Sequence, residues 1–244
     1  MNGFIGLLGT LGLLLLAGGA IALCDRRGVR LHWLLIAAAL VAANDALLTR
    51  AYHNLPDFIP AADWNWQGKL LALALTLLVA SLPAFGWRRV GLTMRQARGS
   101  LISAIPVALL YCGFFVFLAL QFPGGSADAE EVAFQLTMPG FEEEPFYRGI
   151  LLFALDRAFT RRVRFLGVDW GWGAILSCAL FGLAHAFGYS GGHFSFDPMV
   201  MALTALPSLI AVWLRLRTGS LLLPILLHNF GNAISLLLQF SLIV

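Results

Sequence analysis

The sequence predicts an all-α fold, a polytopic bundle of about eight transmembrane helices. Three observations lead there. Of 244 residues, 59% are hydrophobic and only 12% are charged, whereas a soluble domain carries about 25% charged and about 45–50% apolar residues. The apolar residues gather into runs near the roughly 20-residue length that crosses a bilayer as helix. The basic residues fall in alternate loops between those runs. A surface this poor in charge faces lipid, which excludes the soluble globular classes.

The runs lie at 3–23, 31–48, 70–85, 101–122, 140–159, 170–187, 198–214 and 221–244. No basic stretch precedes the first. Arg26, Arg27 and Arg30 follow it, which is the pattern of a first membrane helix and not of a cleaved signal peptide. The fifth run is the least apolar because it opens on Glu142, Glu143 and Glu144. No repeat, low-complexity tract or linker divides the chain, so 1–244 reads as a single transmembrane domain.

Arginine sets the orientation. Lys69 is the only lysine, and the net charge is just +3. Arg26, Arg27 and Arg30 join spans one and two; Arg88, Arg89, Arg95 and Arg98 join three and four. Arg161, Arg162 and Arg164 join five and six; Arg215 and Arg217 join seven and eight. The loop after span four instead carries Asp128, Glu130 and Glu131. The positive-inside rule places the arginine loops in the cytoplasm and both termini outside, and the tryptophans fall near span ends, where interfacial rings belong. Short basic loops set topology without forming a continuous basic face, so no nucleic-acid partner is expected. Cys24, Cys112 and Cys178 are isolated and form neither a disulfide framework nor a metal spacing.

An ionisable group at membrane depth costs about 2.5–3.5 kcal/mol on insertion scales, which makes each one a functional candidate. In GFEEEPFYRGILL, Glu144 and Arg148 are four apart and share a helix face, in the order that favours an ion pair. Glu143 lies about 100° round the helix. This spacing ties Glu144 to Arg148 and leaves Glu143 free for chemistry, while Pro145 marks a helix start or break. His185 closes the sixth span in ALFGLAHAFGY, with Phe181 one turn earlier to pack on its ring and with Gly182 and Ala186 small enough for close helix approach. His228 and Asn232 share a face of the eighth span, and Asn229 points elsewhere. Asn44 with Asp45, and His193 in the Gly/Ser-rich loop YSGGHFSFD, read as interfacial. Taken singly, these groups also fit interhelical hydrogen bonds or an acidic helix end. Together, a free carboxylate, two histidines and an asparagine on three spans supply a base for water and donors for an oxyanion, the parts of peptide hydrolysis.

Glu143-Glu144-Pro145-Phe146-Tyr147-Arg148 matches the EExxxR motif of the CPBP family, the CAAX proteases and bacteriocin-processing enzymes also called Abi proteins. Phe181 to His185 matches its FxxxH motif, and His228 to Asn232 its HxxxN motif. Residues 123–244 thus resemble the family's catalytic core, while 1–122 resemble it only as hydrophobic spans. The resemblance implies an active site inside the membrane and an endopeptidase acting on membrane-associated, prenylated or similar peptides. It implies that Glu143 and His185 activate water, that His228 and Asn232 stabilise the oxyanion, and that Glu144, Arg148 and Phe181 support them. The partners implied are membrane lipid and a peptide or protein substrate; the location is a cell membrane, multi-pass, and the short loops fit a prokaryotic member.

Glu, His and His also form a zinc ligand set. The HExxH helix is absent, and Asn232 serves an oxyanion better than a zinc ion. No cofactor is the expectation, with zinc as the alternative. Two other readings compete. A non-catalytic immunity or scaffold protein keeps the fold but has no use for a Glu143 free of Arg148. A small proton-coupled transporter should show repeats in two halves, and here the polar groups cluster in the second half. The orientation also sets Glu143 and His185 toward the outer side and His228 nearer the cytoplasmic side, so a tilt or a break at Pro145 has to bring them level.

Overall fold

The computed structural model describes residues 2–26, 28–122 and 127–243; Arg27, one of the loop arginines, lies outside them. The all-α bundle is the architecture observed. Helices α1 (Asn2–Cys24) and α2 (Leu31–Leu48) follow the first two apolar runs. Helix α3 (Trp66–Ser81) opens four residues ahead of its run, because Asn65 caps it: the Asn65 side-chain oxygen accepts the Gly68 N–H at 3.1 Å. It stops before Leu82, which is extended ahead of Pro83 as a residue preceding proline tends to be. The early start brings Lys69 inside the first turn.

Helix α4 (Leu101–Gln121) and the short α5 (Ala129–Gln135) precede a broken helix. This fifth run consists of α6 (Met138–Glu144), a π-helical turn (Pro145–Leu151) and α7 (Leu152–Ala158). Pro145 has no N–H to return to the turn before it, and the wider π turn takes up the defect. Helices α8 (Trp172–Ala186), α9 (Pro198–Thr218) and α10 (Leu222–Ile243) complete the bundle. Helix α9 outruns its expected end at 214 and closes at Gly219, whose φ of 74° and N–H bond to the Arg215 carbonyl form a left-handed cap.

Two segments read as loops are β-hairpins instead. The arginine loop pairs β1 (Arg162–Phe165) with β2 (Val168–Gly171), and the Gly/Ser-rich loop pairs β3 (Phe187–Ser190) with β4 (His193–Phe196), both antiparallel. In the second, Gly191 and Gly192 have φ of 59° and 85°, the double positive φ of a two-residue hairpin turn that glycine adopts without strain. Alternating aromatics supply the strand signal: Phe187 stacks on Phe194 at 5.3 Å and Tyr189 meets Phe194 at 5.0 Å. The hairpin lies on the glycine face of α1, with Gly6 against the Gly188–Tyr189 backbone and Gly9 against Phe187.

Helices α1, α2, α4 and α9 are long and apolar enough to cross a membrane; α3, α8 and the Leu222–Leu238 part of α10 are shorter apolar helices. Leu16, Leu23, Ile102 and Leu110 are all at least 73% exposed, a surface that suits lipid contact and would aggregate in water. The main core forms where the broken helix is enclosed. Phe146, Ile150, Leu151, Ala154 and Leu155 pack against Leu34, Ala37 and Leu40 of α2, Ala80 of α3, and Leu176, Leu180 and Phe181 of α8. Every residue of the π turn is buried, so the acidic segment just ahead of it is held from all sides.

Candidate active site

Helix α6 approaches α10 closely because its contact residue is glycine. A Cβ at Gly140 would lie 2.5 Å from Asn229 Oδ1 and 2.7 Å from the Ile225 carbonyl oxygen. The Gly140 N–H donates to Asn229 Oδ1 at 2.7 Å, which satisfies one of the free donors at the start of α6. The three carboxylates then diverge. Glu142 and Glu144 are buried at 0% and 1% exposure. Glu144 Oε1 takes Arg148 Nη1 at 3.3 Å, the i,i+4 pair the spacing suggests, and also His228 Nδ1 at 2.7 Å. The Arg148 guanidinium, itself buried, lies 4.1 Å over the Phe181 ring.

Glu143 is not the free carboxylate expected from the sequence. Lys69 Nζ bonds Glu143 Oε1 and reaches Glu142 Oε2 at 2.8 Å. The physical reason is cost: an unpaired anion at this depth is unfavourable, and α3 delivers the chain's one lysine to the spot. What remains available is Glu143 Oε2, which faces His228 Nε2 at 3.6 Å.

Both imidazoles are tied back through Nδ1. His185 Nδ1 lies 2.8 Å from the Phe181 carbonyl oxygen, which can only accept, so this nitrogen carries the hydrogen and Nε2 holds a lone pair. His228 Nδ1 donates to Glu144, and its Nε2 points at Glu143. His185 packs on Phe181 at 4.8 Å, and His228 meets the same ring edge-on at 5.9 Å. Glu143, His185 and His228 line one cavity, so the expected difference in depth does not keep His228 from the other two groups. Asn232, one turn beyond His228, donates from Nδ2 to Gln135 Oε1 at 3.1 Å and faces the same cavity.

Residues 127–234 match the family model described as type II CAAX prenyl endopeptidase Rce1-like. This segment is an Rce1-like domain. The match agrees with the CPBP family that the motifs resemble and supports an enzyme of the CAAX-endopeptidase type. No curated protein and no solved structure matches the chain.

The Rce1-like domain does not hold the whole cluster. Lys69 comes from outside it, as does Asn44, which was expected at the interface but is 3% exposed and sits beside Glu142. Asp45 does stay half-buried, accepting from the Tyr52 hydroxyl at 2.7 Å. His193 lies exposed on its hairpin, near its own Gly191 carbonyl and away from the carboxylates. Sequence reasoning missed Lys69, Asn229 and Gln135. Lys69 alone carried a signal, as the single lysine at the head of an apolar run.

A cavity of about 370 Å³ opens beside the Rce1-like motifs. Its polar wall is Glu143, His185, His228 and Asn232; its apolar wall comes from α4 and α9, including Phe115, Leu203 and Ile210. Among the described residues no group of three His, Cys, Asp or Glu side chains is set to hold a metal ion. Lys69 already neutralises Glu143, and Glu144 and Phe181 engage the two Nδ1 atoms. Both Nε2 atoms stay open, as they would in a metal-ligating imidazole, and it is the Lys69 cation at Glu143 that weighs against zinc there.

Proposed function

We propose that this protein is an intramembrane endopeptidase that hydrolyses membrane-associated peptides, lipid-modified ones included, with water activated by Glu143 and His185 and without a metal. The observation that carries the reading is the pair of tied-back imidazoles that share a cavity wall with a lysine-anchored carboxylate, one of them facing it through Nε2. Peptide carbonyl and lipid-like chain both find surface there.

The step runs as follows. A water held by Glu143 Oε2 attacks the carbonyl carbon and loses a proton to His185 Nε2. The carbonyl π pair moves to oxygen, and this oxyanion accepts hydrogen bonds from the second Nδ2–H of Asn232 and from His228, which in its doubly protonated form donates from Nε2. Collapse of the tetrahedral centre breaks the C–N bond, and the proton on His185 goes to the leaving amine. Lys69 anchors and aligns Glu143, while Glu144 and Arg148 hold His228 and Phe181. The setting proposed is a cytoplasmic membrane with the arginine loops inside, the partners being membrane lipid and the peptide.

The test is cleavage of a fluorogenic prenylated peptide and a membrane-peptide library by the purified protein in detergent, with and without chelator. Glu143→Gln and His185→Ala are expected to lower kcat by about 10²–10⁴ while the protein elutes as wild type. Full activity in either variant removes that residue from the mechanism. Loss of activity on chelation, restored by zinc, refutes the metal-free step. Folded wild type that binds the peptide and cleaves nothing favours the scaffold reading.

A further inference from the structure

A second cavity, of about 540 Å³, adjoins the first. Lys69, Glu143 and His185 line both, so these three side chains form a wall with a chamber on each side. The second chamber lies between α1, α2, α3 and α8, and its lining differs from that of the first. Asp45 and Thr49 at the end of α2, and Asn65 and Lys69 at the start of α3, all line it. They make a polar lane from the helix ends down to the wall. Exposure falls along it, from exposed Asn65 through half-buried Asp45 to buried Asn44 and Glu142. On the opposite side α1 lines the lane with Gly3, Gly6, Leu7 and Thr10.

At its inner end the lane holds two orphaned polar atoms. Asn44 Oδ1 and Glu142 Oε1 are buried without a hydrogen-bond partner among protein atoms, and their residues are 3% and 0% exposed. Buried polar groups are nearly always satisfied, by protein or by ordered water, and a chamber of this size and polarity has room for several waters. The first chamber sets His228 and Asn232 opposite the apolar side chains of α4 and α9, where a lipid-like substrate can lie.

We infer that the second chamber is the water supply of the site: hydrolytic water reaches Glu143 and His185 along the α1–α2–α3 lane, from the side of the wall opposite the substrate. This rests on the proposed protease function and extends it. While substrate fills the first chamber, water still has its own route to the attacking position.

Two arms test it. In the first, Thr10→Cys in a Cys24→Ser background, which removes the exposed native thiol, is treated in nanodiscs with a charged, water-soluble methanethiosulfonate, beside that background alone and Leu16→Cys within it, whose side chain faces lipid. Thr10→Cys is expected to react about tenfold faster than either control, as an aqueous thiol does relative to one in lipid or apolar burial. A rate equal to Leu16→Cys overturns the proposal, whether or not the protein cleaves anything. In the second, Thr10→Phe fills the lane while Thr10→Val keeps its width. Thr10→Phe is expected to lower kcat about tenfold with KM unchanged, and Thr10→Val to behave as wild type. Equal kcat in Thr10→Phe, or a rise in KM alone, also overturns it. Wild type that cleaves no peptide counts against the protease reading, and the labelling arm still decides whether the lane is aqueous.

Discussion

Replacing Lys69 by methionine removes one charge and almost no volume, and it addresses how the acidic cluster survives in the bilayer. The lysine side chain is 12% exposed and faces Glu142, fully buried, and Glu143, 12% exposed. Solvent therefore screens little of the interaction. Breaking one buried pair by removing a partner costs about 3–5 kcal/mol, because the other charge is stranded. Lys69→Met strands two carboxylates on adjacent residues, so the loss belongs at the upper end of that range. The assay is equilibrium unfolding in mixed micelles, followed by tryptophan fluorescence. The mechanism of the loss is checked by adding Glu142→Gln to Lys69→Met. Neutralising one stranded carboxylate should recover a substantial part of the stability, whereas Glu142→Gln alone should be destabilising or neutral. The reasoning is refuted if Lys69→Met unfolds with wild-type stability, or if the double variant is no more stable than the single.

Three further outcomes are expected. Arg148→Ala leaves Glu144 without its cation and uncovers the Phe181 ring; folded yield should fall and stability drop by about 3–5 kcal/mol, with Arg148→Lys restoring the charge but not the planar stack. Wild-type yield from Arg148→Ala would count against the pairing. Gly140→Ala drives a methyl into Asn229 and the Ile225 carbonyl; the overpacking should cost about 1–3 kcal/mol and lower cleavage by moving the carboxylates off His228, both measurable on one preparation. Outside the spans, Glu130 is held below the usual carboxylate range, chiefly by the backbone N–H groups of Trp64 and Asp63 and further by the Trp66 indole. A depressed folded value means the contact stabilises above the unfolded pKa and is lost as pH falls through the folded one. Acid should therefore release the 56–65 loop from α5, seen as a Trp64/Trp66 fluorescence change below about pH 4 that Glu130→Gln abolishes.

The bundle was legible because lipid leaves a chain few options: runs near 20 apolar residues with arginines between them become helices. Helix α2 occupies the expected 31–48, while α3 slid toward its Asn65 cap. Capping is a local hydrogen bond that hydropathy does not register. The hairpins were hidden for a related reason: Arg162, Arg164 and the Gly191–Gly192 pair read as loop composition, and only the alternation of flanking apolar residues marks strands. In the site, Glu144–Arg148 was legible because its partners lie on one helix. Lys69–Glu143 and Asn229–Gly140 were not, since their partners are 74 and 89 residues apart and no periodicity links them. The carboxylate the sequence left free is thus the one that a distant helix claims.

The π turn has a consequence for how this chain tolerates change in length. A π turn is an α-helix that holds a surplus residue. Helix α6 upstream aims its carboxylates at the site, while α7 downstream buries Leu152, Ala154, Leu155 and Ala158. A continuous α-helix would rotate one face by about 100° and shift it by about 1.5 Å for each residue removed. The π turn absorbs its surplus residue locally, so the catalytic face and the packing face keep the phase of one continuous helix. A single deletion in 149–151 keeps every motif residue, removes that surplus and leaves the carboxylates and the core leucines in phase, whereas a deletion within α6 or α7 turns them apart by about 100°. Conversely, drift in the loops on either side leaves this phase untouched. The intolerance of the broken helix to indels is therefore concentrated in α6 and α7, on either side of the turn that absorbs one.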